Sequence, residues 1–439
     1  MLTRERITEE ARRLGFVDIG FTTADPFDSH LEYLEKNREA YEWAPKLGLD
    51  LFKGADPRTV MPEAKSIIVL IEAYYRESFP PSLEAHFGRC YLDDDRVTRD
   101  GLTVRMKAFR SFLKENGVAS KAPFDIPHRM AAARAGTGTF GKNCLLYSNR
   151  AVRGSSWILP LAFLVDCEFQ PDEPTIGIDC PSWCRDACIS ACPTRALKGD
   201  GTIDPRRCIS YLSYFGDGIT PVELREPMGM YVYGCDRCQN VCPRNTAWSA
   251  QELPPNPRVA AKAKDFDLAA LLHMDRTYFE QRIWPHMFYM SADELWRWKM
   301  NVARVMGNSG DDRYLPELLH AFGETDDTRV RGMIAWALGK IGGRGARRAP
   351  AAVPGRGRTG TYRIRHGPGV ESPGPIRASS RLPFYRHGRH WRPGCPAGSL
   401  SRAMSGHPGL RYARRDNSPG PAYRRNLHSP DPENFRKLS

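Results

Sequence analysis

The chain has 439 residues, enough for two or three domains, and a formal net charge of +13 at pH 7. The basic excess is local: residues 344–439 hold 20 Lys and Arg against 4 Asp and Glu, which leaves 44 against 47 for residues 1–343. Overall charge therefore gives no support to nucleic-acid binding. Its longest apolar run, residues 157–165, is too short to cross a bilayer, and its charged amphipathic N-terminus is not a signal peptide. We expect a cytoplasmic protein.

Residues 1–172 alternate between two hydrophobic periodicities. The helical period covers residues 3–14, 28–42 and 100–116, and apolar runs typical of buried strands cover 16–20, 66–71 and 157–165. This alternation predicts an α/β domain with a central sheet.

A glycine-rich loop lies within this first region. Gly136, Gly138 and Gly141 match the dinucleotide fingerprint as a string, but a helix-like stretch precedes them and a strand-like stretch follows, which is the reverse of what that fingerprint requires. The loop therefore brings the backbone close to some large ligand or simply makes a turn. Asp125, before the loop, is a candidate acid, or equally the N-cap of a helix that begins at Pro127.

The most informative stretch is residues 180–242, which holds eight of the twelve cysteines. Its second half reads Cys235-x2-Cys238-x3-Cys242-Pro, and Cys192 also precedes a proline. In two-cluster ferredoxins three thiolates of such a run hold one [4Fe-4S] cluster, and the cysteine before the proline reaches the other. Eight thiolates are the number that two such clusters need.

This crossover pattern predicts two sets of ligands. One set is Cys180, Cys184, Cys188 and Cys242, and the other is Cys192, Cys208, Cys235 and Cys238. Four disulfides do not suit a reducing compartment, and two structural zinc ions use similar spacings but do not explain the paired Cys-Pro endings. Three cysteines four residues apart would line one helix face, so the first run must leave helical geometry. The remaining cysteines match no ligand position and are predicted to be ordinary thiols: Cys90, Cys144, Cys167 and Cys395.

The rest of the chain changes character twice. Residues 250–266 contain three prolines and predict a linker between the cluster domain at 173–249 and a helical region at 267–343. Two related helical segments there indicate HEAT-like repeats that stop after about one and a half units. Residues 344–439, with 13 Pro and 13 Gly, predict a disordered Arg/Pro/Gly-rich tail. We hypothesise that a frameshift produced this tail, and an intact mass matching the full sequence would contradict that idea.

Taken in order, these motifs resemble the epoxyqueuosine reductases, which are relatives of the reductive dehalogenases. The resemblance covers residues 1–343 and is most specific at 204–244. It implies a cobalamin-binding α/β domain at residues 1–172, two [4Fe-4S] clusters, and reduction of epoxyqueuosine in a tRNA anticodon stem-loop with electrons from an external donor. By the same resemblance Asp125 is the proton donor. The residues implied to lie near the cobalamin are Gly138, Gly141, Lys142, Asn143 and Ser210.

Two departures keep other functions open. Thr139 stands where the family has a Trp, and residues 88–96 replace a family motif, both where cofactor or substrate would be held. The alternatives are a paralogous corrinoid iron-sulfur reductase with another substrate, and a two-cluster electron-transfer protein that performs no organic chemistry.

Overall fold

The computed structural model describes residues 2–46, 48–92, 101–284 and 290–342. The predicted tail at 344–439, Cys395 and most of the acidic end of segment 88–96 lie outside the described residues. Among the helices that are described, none combines the length and apolar content that a bilayer crossing requires.

The first region is built on a four-stranded sheet. Its strands are β1 (Asp18–Thr23), β2 (Ser66–Ala73), β3 (Ser120–Lys121) and β6 (Ile158–Val165), in the order β1-β2-β6-β3. A separate pair consists of β4 (Gly138–Phe140) and β5 (Leu146–Ser148). The central sheet is confirmed, but every pairing is antiparallel, so it is not the parallel sheet of a strict α/β fold.

Helices cover both faces of this sheet. Alternate side chains of β2 enter two cores: Ile68 and Leu70 pack with Phe109 of helix Gly101–Glu115, whereas Ile67 and Val69 pack on the other side. Because both faces are buried, β2 reads as a continuous apolar run although its partners are antiparallel.

The α-helices follow the predicted periodicity with local breaks. Their bounds are Arg4–Arg13, Asp28–Lys36, Arg38–Tyr41, Trp43–Lys46, Leu51–Gly54, Pro57–Val60, Pro81–Glu84, Arg89–Leu92, Gly101–Glu115, His128–Arg134, Ala187–Ala191, Ile209–Tyr214, Val222–Arg225, Arg237–Asn240, Pro243–Ser249, Pro257–Lys262, Leu268–His273, Arg276–Tyr278, Leu295–Ser309, Leu315–Glu324 and Thr328–Ile341. Short 3₁₀ turns lie at Val152–Gly154, Pro205–Arg207, Ala263–Phe266, Ala292–Glu294 and Asp312–Tyr314, and a π turn lies at Phe279–Ile283. The predicted helix 28–42 breaks at Asn37.

The C-terminal helices share their core with earlier parts of the chain. Trp298, on helix Leu295–Ser309, is fully buried, and its ring stacks on Tyr233 with centroids 5.5 Å apart. Phe87 belongs to the same core. The predicted linker at 250–266 also contributes, because Val259 and Phe266 are buried there. The segment is therefore packed rather than a free connection.

Buried polar side chains on helix Leu295–Ser309 hold the chain that leads into the second cysteine run. The Asn301 amide donates to the carbonyl oxygens of Ser213 and Val232, at 2.7 and 3.0 Å. The guanidinium of Arg304 donates to the carbonyls of Gly229, at 2.7 Å, and of Tyr231. Burial lowers the pKa of Arg304 to about 9.

Replacing Asn301 with Leu should therefore destabilise the protein. The change leaves two buried carbonyls without their donors, at a cost of about 2–4 kcal/mol in the free energy of unfolding. Urea denaturation of variant and wild type measures the loss. The control Leu319→Ala, at a side chain that is 38% exposed, should change stability by less than about 0.5 kcal/mol. Equal stability of the two variants would contradict the anchoring role of Asn301.

Candidate functional site

The first cysteine run is mostly loop. Cys180 and Cys184 precede helix Ala187–Ala191, and only Cys188 lies within it. Asp186, just before this short helix, adopts the left-handed conformation with φ 54°. The departure from helical geometry predicted from the even spacing is confirmed, and it lets the three thiols turn toward a common partner.

The eight thiols fall into two neighbouring groups. Burial first, and then the neighbouring thiols of Cys242, Cys180 and Cys184, raise the pKa of Cys188 to about 11. Burial raises the pKa of Cys235, and the thiols of Cys208 and Cys192 raise it further.

Cys238, the remaining member of the second group, also lies near a thiol of the first group. Burial raises the pKa of Cys238, and the nearby thiols of Cys235, Cys208 and Cys188 raise it further. The structure thus brings each predicted set together and places the two sets side by side. That each set binds a cluster stays a prediction.

The spacing of the sulfurs bears on the alternatives. A tetrahedral zinc ion with Zn–S bonds of about 2.3 Å needs sulfurs about 3.8 Å apart. Among the residues that the structure describes, the one group of three or more His, Cys, Asp or Glu ligand atoms within 4.8 Å of one another contains no cysteine. All eight cysteines are free of disulfides. The described cysteine sulfurs are therefore not gathered at the spacing of a tetrahedral zinc site.

The glycine-rich loop packs internally against Tyr147. A Cβ on Gly141 would lie 2.5 Å from the Tyr147 ring, and one on Gly138 would lie 2.7 Å from the Tyr147 carbonyl oxygen. The Tyr147 hydroxyl donates to the Cys242 sulfur at 3.1 Å and accepts from the Asn143 amide at 2.9 Å. The glycines thus make room for a tyrosine that contacts a predicted ligand. Sequence reasoning missed this residue, whose one signal was an aromatic position in the strand after the loop.

Two other loop residues also face the cysteine segment. The Lys142 backbone N–H donates to the Cys180 sulfur at 3.4 Å, and its ammonium pairs with Asp186 at 2.6 Å. The Asn143 amide donates to the Cys238 carbonyl at 3.3 Å. The loop therefore connects the N-terminal domain to the cysteine segment through direct hydrogen bonds and an ion pair.

Asp125 lies in a bend and does not cap the following helix. That helix, His128–Arg134, has Pro127 at its N-cap position and no side-chain capping bond. The Asp125 carboxylate instead accepts the backbone N–H of Asp50 at 2.9 Å. A Cβ on Gly54 would lie 2.0 Å from the Asp125 carbonyl oxygen, so two segments fix this bend between them.

A cavity of about 610 Å³ lies beside this bend. Its lining residues are Arg38, Tyr41, Glu42, Pro45, Gly48, Leu49, Asp50 and Phe52. Asp125 is not itself a lining residue, but Asp50 lines the cavity and donates to its carboxylate, so the carboxylate is one hydrogen bond away from the lining. Burial raises the pKa of Tyr41, one of the lining residues, and Tyr33, Cys144 and Asp204 raise it further. Its volume is in the range of cofactor sites.

Ser210 lies on the cysteine side of this region. Burial raises the pKa of the Cys208 thiol, while hydrogen bonds from the backbone of Tyr211 and from Ser210 lower it. Ser210 therefore contacts a predicted ligand directly.

His128 ties the Asp125 bend to the sheet. Its Nδ1 accepts the backbone N–H of Ala162 in β6 at 2.9 Å, and its Nε2–H donates to the Pro123 carbonyl at 2.9 Å. These partners require the neutral imidazole. Burial lowers the pKa of His128 to about 4.

Known proteins are similar to this chain both in the cysteine segment and over most of its length. Residues 180–245 match the family model of a 4Fe-4S double cluster binding domain. The chain is 30% identical to epoxyqueuosine reductase of Listeria monocytogenes over 375 residues, which cover 79% of this chain and 91% of that protein.

Two solved structures are similar over most of their length. Epoxyqueuosine reductase from Bacillus subtilis, with its catalytic aspartate loop swung out of the active site, is 29% identical with a TM-score of 0.65, covering 79% of this chain and 92% of that one. An epoxyqueuosine reductase with an epoxyqueuosine-modified tRNA-Tyr stem loop is 29% identical with a TM-score of 0.66, covering 80% and 95%.

The depressed pKa of His128 predicts a loss of stability in mild acid. In the unfolded chain the imidazole has a pKa near 6.5, whereas in the folded protein it gains a proton only near pH 4. The contribution of the neutral, buried His128 to the free energy of unfolding is therefore complete above pH 6.5 and falls as the pH drops. Between pH 7 and pH 5 the loss is about 2 kcal/mol.

The stability difference between wild type and His128→Gln isolates this effect. Burial raises the pKa of Asp236 to about 6, which acts in the opposite direction, but Asp236 is present in both proteins. Denaturation at several pH values should show the wild-type advantage shrinking by about 2 kcal/mol from pH 7 to pH 5. A difference that does not change with pH would contradict the neutral, buried state of His128.

Proposed function

The chain belongs to the epoxyqueuosine reductase family, and from that premise we propose that it reduces epoxyqueuosine to queuosine in tRNA, using two [4Fe-4S] clusters and cobalamin. Membership makes it an oxidoreductase with an iron-sulfur domain. Removal of the epoxide oxygen as water, leaving an alkene, consumes two electrons and two protons. The relative that binds a modified tRNA stem loop supports the same substrate here.

The observation that carries the proposal is the grouping of eight free thiols. The Asp125 carboxylate, bonded to the cavity residue Asp50, is the second feature that supports it. Cys180, Cys184, Cys188 and Cys242 would hold one cluster, and Cys192, Cys208, Cys235 and Cys238 the other. Because burial raises the pKa of Cys188, Cys208, Cys235 and Cys238, these thiols deprotonate readily only when metal ions compensate the charge.

Hydrogen-bond donors surround both sets of sulfurs. The backbone N–H groups of Lys142 and Ala196 donate to Cys180 and Cys192, at 3.4 and 3.3 Å, and Tyr147 donates to Cys242. Donors of this kind stabilise thiolate ligands and tune cluster potentials. They support the view that these sulfurs are ligands rather than ordinary thiols.

Cobalamin would lie in the cavity beside Asp125, where it would supply the low-potential metal centre of the reaction. The wall between this cavity and the clusters would be formed by Lys142, Asn143 and Ser210. Gly138 and Gly141 would support this wall because they leave space for the Tyr147 side chain and backbone. In the glycine loop, the buried hydroxyl of Thr139 has no hydrogen-bond partner among the described residues, which fits a missing neighbour at this wall.

Asp125 would deliver a proton to the epoxide oxygen as its C–O bond breaks. The backbone N–H of Asp50 fixes the orientation of the carboxyl group at 2.9 Å and leaves its second oxygen for substrate. The substrate's oxygen would leave as water once a second proton arrives from solvent.

Asp125→Asn should abolish turnover without loss of cofactors. General acid catalysis contributes about 10²–10⁴-fold, so the rate of queuosine formation in anaerobically reconstituted enzyme should fall by at least about 100-fold. The matched control is Asp166→Asn, at a carboxylate that also accepts one backbone hydrogen bond, but from Ala119, which does not line the cavity as Asp50 does. A rate for Asp125→Asn within a few-fold of wild type would exclude Asp125 as the proton donor.

Serine substitutions test which cysteines share a cluster. Cys242→Ser and Cys188→Ser should damage the same cluster, and Cys235→Ser and Cys192→Ser the other, with about four of eight irons lost in each variant. Iron and sulfide analysis with electron paramagnetic resonance distinguishes the two spectra. If Cys242→Ser instead resembled Cys235→Ser, the crossover would be wrong.

A substrate other than epoxyqueuosine is the second candidate, favoured by Thr139 at the position where the family has a Trp. Cobalamin-loaded enzyme that leaves epoxyqueuosine tRNA unchanged would support this paralogous reductase. Reconstituted protein with two clusters that binds no corrinoid would indicate an electron-transfer protein instead.

A further inference from the structure

Three metal-ligating side chains meet on the helical region, far along the chain from the cysteines. His273 is the last residue of helix Leu268–His273, and His320 and Glu324 lie one turn apart on helix Leu315–Glu324. One ligand atom from each lies within 4.8 Å of the other two. We call His273, His320 and Glu324 the His-Glu cluster.

We propose that the His-Glu cluster binds a divalent transition-metal ion, with Zn²⁺ the best match. Zinc bonds of about 2.0–2.2 Å to nitrogen and oxygen place neighbouring ligands about 3.4 Å apart. His320 Nε2 is 3.3 Å from Glu324 Oε1, and His273 Nδ1 is 2.8 Å from Glu324 Oε2. Small side-chain rotations would bring the three ligands to that spacing. Two imidazoles with one carboxylate suit zinc, and they leave a fourth position open.

A second carboxylate orients His273 for this role. Its Nε2 lies 3.0 Å from Glu317 Oε2 while its Nδ1 faces Glu324. A neutral imidazole donates from only one nitrogen. If Nε2–H donates to Glu317, the Nδ1 lone pair and the Glu324 carboxylate are two acceptors that face one another, and a cation between them resolves the conflict. This carboxylate–histidine–metal arrangement is the usual support of zinc ligands.

The alternative resolution is a doubly protonated His273 that bridges Glu317 and Glu324. It explains the contacts of His273 but gives no role to His320. The His320 side chain is 67% exposed, yet it lies 3.3 Å from the same Glu324 carboxylate, and its ring centroid is 5.0 Å from that of His273. Convergence of both rings on one carboxylate favours the metal ion.

The ion would join two helices at their ends. Leu271 and Leu272 on one helix and Leu318 on the other are buried in a common core, so the helices are already neighbours below the cluster. A ligand that binds only the folded state stabilises it by mass action. Zinc should therefore raise the thermal midpoint of the helical region while leaving the cysteine-bound clusters alone.

Equilibrium dialysis of the reconstituted, cluster-loaded protein against Zn²⁺ tests the proposal, because the cysteines are then occupied. We expect one zinc per chain in wild type, with an unchanged iron content. His320→Ala and His273→Ala should lose this zinc and the rise in thermal midpoint. Glu317→Gln should weaken zinc binding by about 10–100-fold.

The matched control is Glu226→Gln, which removes an exposed carboxylate paired with Lys340 at 2.7 Å and should bind zinc as wild type does. No zinc uptake by wild type would overturn the proposal. So would full uptake by His320→Ala, because the ion would then lie elsewhere. Failure of these tests leaves the proposed reductase activity untouched, since no cluster or cavity residue is involved.

Discussion

The structure depends on one costly arrangement, the removal of cysteine thiols from water. Burial is the first cause of the raised pKa values of Cys188, Cys208, Cys235 and Cys238. Thiolates gathered in such a place repel one another unless cations compensate them. The surrounding loop and strand provide hydrogen-bond donors to the sulfurs, among them the Tyr147 hydroxyl, which donates to Cys242. Residues 180–245 match a 4Fe-4S double cluster binding domain, and the iron of such clusters would provide this positive charge.

Two distant parts of the chain help to hold these thiols. The sheet carries the hairpin of β4 and β5, whose loop reaches Cys180 through Lys142. Helix Leu295–Ser309 fixes the backbone just before Cys235 through buried Asn301 and Arg304. The predicted ligands therefore come from one short segment, but their positions are set by elements more than a hundred residues apart in sequence.

Features that depend on residues close together in sequence could be predicted, whereas features that depend on contacts between distant segments could not. The cysteine sets, the main strands and the departure of the first cysteine run from a helix are local patterns, since spacing along the chain determines them. The antiparallel order of the sheet depends on pairings between strands that are distant in sequence, such as Ser66 with Val165. The hydrophobic periodicity within one strand carries no information about these pairings. Tyr147 was overlooked for the same reason, because its partner Cys242 lies 95 residues away.

The prolines near residue 254 illustrate a different limit. Composition cannot tell an exposed connection from one that folds and packs: Pro257 begins helix Pro257–Lys262, and Val259 and Phe266 are buried.

The core around Trp298 has an implication for how this protein can be divided or recombined. It is assembled from Phe87, Tyr233, Phe266 and the C-terminal helices together. A chimaera that joined the first 249 residues to helices from a distant relative would meet a mismatched interior, even if its junction fell in the proline-rich stretch. Replacing the C-terminal helices would therefore also require matching substitutions at Phe87, Tyr233 and Phe266.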